Sequence, residues 1–167
     1  MLSVEDWAEI RRLQKRLAAI FPRAPLAVVN AGIGGHSAPQ GLARLERDVL
    51  SYRPDLCVVC FGLNDACAGP GGLSRYEAAL EGIFAGLRAR GVEAIFLTPN
   101  MMNTAVADDV DPGLADVARM TMDIQNSGVM DTYMERARAV CAAAGVPVAD
   151  GYARWKTLAR AGAEITM

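Results

Sequence analysis

Leu56-Cys57-Val58-Val59-Cys60-Phe61-Gly62-Leu63-Asn64-Asp65 is the stretch that decides the fold. It opens on a continuous apolar run, the pattern of a parallel strand covered on both faces. A glycine then turns the chain, and two polar residues follow at the strand's carboxyl end.

Downstream of that stretch, residues 62–72 read as a loop. Ser74-Arg75-Tyr76-Glu77 matches a capping box and opens a helix with Tyr76, Leu80, Ile83, Phe84 and Leu87 on one side. Gly91 is its expected stop. Residues 94–97 form a further strand, and a long loop runs from Thr98 to about Gly113. Helical pattern resumes at Leu114, breaks near Asn126-Ser127-Gly128, continues over 131–144 and ends at Gly145. Residues 146–149 give another short strand, and 152–160 a last helix.

Upstream, Ser37-Ala38-Pro39 opens a helix carrying Leu42, Leu45 and Val49 inward, with Pro suited to the first turn. Before it stand a glycine-rich turn over 30–36 and a strand over 26–29. Ser3 caps a first helix whose Trp7, Ile10, Leu13, Leu17 and Ile20 recur near a 3.6 period. Strands alternating with helices imply βαβ units and a parallel, flavodoxin-like sheet in a three-layer α/β/α sandwich. Ligands in such sheets sit at the carboxyl ends of the strands. The two chemical-looking loops, 30–37 and 62–65, both follow strands and therefore share one rim.

The composition narrows the function classes. At 167 residues the chain has the size of one domain, with no need of a disulfide or metal to hold a core. No apolar window approaches the roughly 18 residues of a membrane span. Net charge is −2 with scattered basic residues, so no nucleic-acid footprint exists. Cys57 and Cys60 have C-x-x-C spacing, but residues three apart on a strand point to opposite faces, which disfavours chelation and pairing. They read as plain core cysteines. No His/Cys/Asp spacing supports a metal, and no cofactor is expected. Reduced thiols and the absence of a leader sequence point to the cytoplasm.

Asn30-Ala31-Gly32-Ile33-Gly34-Gly35-His36-Ser37 lets the backbone turn tightly and bring N–H groups into the open beside a helix N-terminus. It can hold a phosphate or an oxyanion, or be only a structural turn. The third glycine's spacing of a dinucleotide fingerprint is missing. In the second loop Asn64 can present its amide toward the rim while Asp65 bonds local backbone and braces the turn; an ordinary Asx-turn reads equally well.

Together the loops resemble the SGNH (GDSL) hydrolase family. Asn30-Ala31-Gly32-Ile33-Gly34-Gly35 corresponds to its second block, with Gly35 at the oxyanion position. Gly62-Leu63-Asn64-Asp65 corresponds to its third, with Asn64 as side-chain donor and Asp65 behind it. Gln40-Gly41-Leu42-Ala43-Arg44-Leu45 and Pro54-Asp55-Leu56 are also similar to the family. The resemblance implies acyl transfer from a small or carbohydrate-linked ester to water through a serine ester, with Gly34, His36 and Asn100 beside the substrate. Asn103 shares the loop of Asn100, where substrate contact and plain solvent exposure are both open.

The family's Gly-Asp-Ser nucleophile and its late histidine have no counterpart here. Ser3, Ser37, Ser51, Ser74 and Ser127 read as caps, turns or surface residues, and the single histidine, His36, reads as rim lining. Asp150 follows the last strand but is not assigned as the triad acid. The expectation is a single truncated domain over 1–167, lacking its first strand and C-terminal helix and inactive by itself. Its unpaired sheet edges favour self-association. Two other readings remain: a non-catalytic module that binds a carboxylate, phosphate or acyl group through Gly35 and Asn64, and a flavodoxin-like nucleotide binder.

Overall fold

The computed structural model describes residues 4–166, with side chains from residue 11 onward. The cap expected of Ser3 lies outside the described residues, as do the side chains of Trp7 and Ile10. The chain divides into two compact units, Met1–His36 and Ser37–Met167.

In the first unit α1 spans Val4–Ile20. Its expected inward stripe is not buried: Leu13 and Ile20 are exposed, and Leu17 is half-buried. Phe21 N–H still donates to Leu17 O at 2.8 Å, and Ala24 N–H to Phe21 O at 3.1 Å, closing the helix where Pro22 was expected to end it. The strand expected over 26–29 is absent. A strand exists only through its ladder, and residues 26–29 form none among the described residues. Val29 is exposed.

The second unit carries the sheet. Ser37 N–H donates to Gln40 Oε1 at 2.8 Å, which fixes the entry to α2, Ala38–Ala43. The single helix expected here is broken into α2, α3 at Leu45–Asp48 and a 3₁₀ turn at Leu50–Tyr52. Strand β1 is Leu56–Val59, followed by the four-residue α4, Leu63–Ala66. Helix α5, Leu73–Ala89, starts at Gly72 rather than on the Ser74 capping box, because Glu77 turns outward to Arg136, Nε to Oε1 2.6 Å. Gly91 ends α5 as expected, with Val92 N–H closing on Leu87 O at 3.0 Å. Then follow β2 at Glu93–Leu97, α6 at Ala115–Asn126, α7 at Val129–Ala144, β3 at Val148–Ala149 and α8 at Gly151–Arg160.

The strands lie in the order β1-β2-β3, all parallel, with Val58 beside Ile95 and Phe96 beside Val148. Their carboxyl ends therefore form one rim, shared by the segments after Val59, Leu97 and Ala149. One face of the sheet is the core: Val59 and Phe96 are buried with Leu80, Ile83, Phe84 and Leu87 of α5 and Met130, Met134 and Ala137 of α7. Phe84 meets Phe96 edge-on, ring centroids 6.2 Å apart. The other face differs from the two-sided burial expected of β1, since Leu56 and Val58 are exposed. Cys60 is exposed and Cys57 half-buried, against the expectation of core thiols; Cys67 is exposed, Cys141 is buried, and all four cysteines are free.

Candidate active site

The Asn64 loop is built by tight packing beneath it. Gly62 has φ +135°, and a Cβ there would stand 2.4 Å from Met134 Cε and 3.2 Å from the Tyr76 hydroxyl. Only glycine meets both demands. Its carbonyl accepts from Ala66 N–H at 2.9 Å, which starts α4 and leaves Asn64 exposed in that helix's first turn. Two tyrosines brace the flanks. Tyr76 of α5 donates to Phe61 O at 3.2 Å, and Tyr133 of α7 donates to Gly69 O at 2.8 Å. Their rings sit 5.1 Å apart. Burial pushes both phenols above their usual range, so they remain donors.

Asp65 is 6% exposed, and its Oδ1 accepts from Ala38 N–H at 2.9 Å. The bond spans 27 positions and reaches the first residue of α2, in addition to the local backbone donors expected of it, at Gly62 and Asp65 itself. Burial raises the Asp65 carboxyl above its ordinary range, while the Ala38 N–H and other backbone donors pull it down. A second tie joins the same elements: the Phe61 ring lies against Gly41 of α2, where a Cβ would be 2.3 Å from Phe61 Cζ.

The glycine-rich segment belongs to the first unit. Asn30 Oδ1 accepts from Gly32 N–H at 2.8 Å, an Asx-turn, and His36 N–H donates to Ile33 O at 3.2 Å. Gly34 and Gly35 are exposed, Gly35 with φ +79°, and His36 is half-buried.

On the β2 side of the rim, Asn100 is exposed and its Nδ2 donates to Met101 O at 2.7 Å. Asn103, by contrast, is buried: it donates to Ala118 O at 2.8 Å and accepts from Thr121 Oγ1 at 2.6 Å. Its Nδ2 also donates to Ala105 O at 3.0 Å, so both of its N–H groups are spent within the interior. Asp150 is likewise structural. It caps α8 through Ala153 N–H at 3.0 Å, accepts from Thr98 Oγ1 at 2.9 Å and pairs with Arg138, Nε to Oδ2 2.8 Å. The Arg138 guanidinium holds its carboxyl below the usual range. A polar cleft of about 250 Å³ opens between α7 and α8, where Lys156 pairs with Asp131 and Arg138 with Asp150. No group of three or more metal-ligating side chains occurs among the described residues. No described helix is long and apolar enough to cross a membrane.

The sequence singles out Asn64 and Asp65 as candidates but not the tyrosines that brace their loop. Tyr76 was read only as one of a stripe of core residues; nothing in its spacing shows that its hydroxyl meets a carbonyl 15 positions away.

The family profile of the GDSL-like lipase/acylhydrolases matches residues 4–165. An acetylxylan esterase of Geobacillus stearothermophilus is 39% identical over 49 residues, 29% of this chain and 22% of that protein. Among solved structures, an acetyl xylan esterase superposes with a TM-score of 0.72 at 18% identity, covering 93% of this chain and 76% of its own. The Geobacillus acetylxylan esterase gives 0.65 at 22%, covering 86% and 63%. An α/β hydrolase from the metagenome of Lake Arreo, Spain, gives 0.69 at 22%, covering 90% and 66%. The chain thus spans only part of the length of the proteins it matches, and at these identities the structures speak for the fold alone. With a profile match over nearly all its length, the chain belongs to the GDSL-like lipase/acylhydrolase family.

Proposed function

We propose that this chain forms the acyl-binding face of a serine esterase that acts on acetylated carbohydrate. The observation that carries the reading is Asn64, exposed at the carboxyl end of a parallel strand and fixed from below by Gly62, Asp65 and two tyrosines. When a nucleophile attacks an acetyl carbonyl, negative charge develops on its oxygen, and preorganised N–H donors stabilise that charge without reorganising. Asn64 Nδ2 is such a donor in the second unit; the family resemblance assigns further ones to the Gly35 N–H and to the nucleophile's own N–H. Asn100, exposed after β2 on the same rim as Asn64, is the further substrate contact of this reading. The acetylxylan esterases that match the chain support acetylated carbohydrate as the substrate class. Catalytic mutants of the Geobacillus enzyme carry alanine for a serine in one case and for a histidine in another. This sequence has no Gly-Asp-Ser, and its one histidine is His36. These 167 residues accordingly bind the acyl group without turning it over.

The test is a titration with acetate, and then with an acetylated xylooligosaccharide, followed by amide NMR. Saturable shifts at Asn64 that disappear in Asn64→Ala are expected. Absence of any saturable shift contradicts the reading. The second reading, a binding module with no hydrolytic role, is favoured by the same missing Gly-Asp-Ser. It predicts tighter binding of the free carboxylate than of the neutral ester.

A further inference from the structure

Asp65 places a carboxylate where a neutral acceptor would satisfy the same amide. It is buried among α2, α4, α5 and α7, and one oxygen, Oδ1, is committed to Ala38 N–H. Its other oxygen, Oδ2, is buried and makes no well-formed hydrogen bond, with the Gly62 and Asp65 backbone N–H groups beside the carboxyl. A buried acceptor in that state is costly, so what its other oxygen holds decides its role. Asp65 follows Asn64 directly, and the Ala38 amide lies three residues after Gly35. One side chain therefore links the residue after the side-chain donor to the helix that begins where the glycine-rich segment ends.

We infer that Asp65 is the positioning residue that sets Asn64 relative to the start of α2. The Asp65–Ala38 bond fixes the depth of α4's first turn against α2, and Phe61 on Gly41 fixes the lateral fit. Loss of the bond lets the Asn64 amide drift from its aim, while α5 and α7, which rest on their own apolar contacts, stay folded. The inference rests on the reading of Asn64 as an acyl-site donor, but its structural half can be tested without a ligand.

The experiment is amide hydrogen exchange with ¹⁵N NMR on the whole chain, comparing wild type, Asp65→Ala and Asp65→Asn. In Asp65→Ala the protection of the Ala38 amide falls on the order of tenfold. The Asn64 Nδ2 resonances move, and the core amides of α5 and α7 keep their protection. Asp65→Asn retains an acceptor and restores part of the Ala38 protection. In wild type the Ala38 amide proton titrates with the Asp65 carboxyl, which faces Arg75, Tyr76, Tyr133 and Cys67. That titration vanishes in Asp65→Asn. Unchanged Ala38 protection overturns the inference, and so does a fixed Asn64 resonance beside a changed Ala38. If Asp65→Ala does not fold, the titration and Asp65→Asn decide the question alone. Acetate that binds wild type and Asp65→Ala equally also overturns it. Acetate that binds neither, with the Ala38–Asn64 coupling intact, removes the acyl-site reading and leaves the coupling standing.

Discussion

Residues 26–36 and residues 56–66 look alike as sequence: a short apolar run, a glycine-bearing loop, then a helix. Their structures part company. The second segment has β2 beside it, with Leu56 to Val59 in register against Glu93 to Phe96. Its loop is then pinned by Tyr76, Tyr133 and the Asp65–Ala38 bond. The first segment has no ladder, and its turn is held by the Asn30–Gly32 and His36–Ile33 bonds within itself. The difference teaches that an apolar run only permits a strand. Partners make one, by satisfying each N–H and C=O in turn.

The comparison can be broken by substitutions that cost the same in both segments. The largest gap is expected between core and uncovered positions. Val59→Ala, at a buried position of β1, costs about 3 kcal/mol in urea unfolding. Val29→Ala changes stability by less than about 0.5 kcal/mol. Next come the two left-handed glycines. Gly62→Ala adds a clash with Met134 to backbone strain and costs about 3 kcal/mol. Gly35→Ala meets nothing within 4 Å and costs about 1 kcal/mol. Comparable losses in either pair would show that the first segment is as tightly packed as the second.

Acid sharpens the contrast inside the second unit. Asp150 is held below its ordinary range, so its contribution is present above about pH 4 and is lost as pH falls through its lower folded value. Asp150→Ala costs about 2 kcal/mol near neutrality, and less in acid. Asp65 is raised, and the sign reverses: the stability tied to its protonated form is lost as pH rises through the folded value. Relative to Asp65→Asn, wild type gains stability on acidification, read as a shift in urea midpoint. The smallest effect concerns β1's outer edge, which lies beyond the ladder to β2. It predicts concentration-dependent association in sedimentation; a monomer that melts cooperatively at micromolar concentration contradicts it.

Much of the fold was legible because it depends on local pattern. The runs at β1, β2 and β3, the stops at Gly91 and Gly145, and the break at Gly128 follow from periodicity and turn chemistry. What failed depends on distant partners. The 26–29 strand needed a neighbour. The Ser74 capping box lost Glu77 to Arg136 of α7, 59 positions away. At the site the same division holds. Asn64 and Asp65 stand out as candidates in a four-residue pattern, but the Ala38 amide that Asp65 accepts from lies 27 positions upstream. Asn103 reads in sequence like Asn100, one loop residue among others. Only burial against α6 separates the structural amide from the exposed one.

The central claim is that this chain carries acyl-site donors without a serine nucleophile and its base. Hydrolysis of an activated acetyl ester by the purified 167-residue chain, beside Asn64→Ala, tests it most directly. The account predicts no turnover above buffer for either protein. Multiple turnovers by wild type that disappear in Asn64→Ala would contradict it, because a working nucleophile would then lie among these residues.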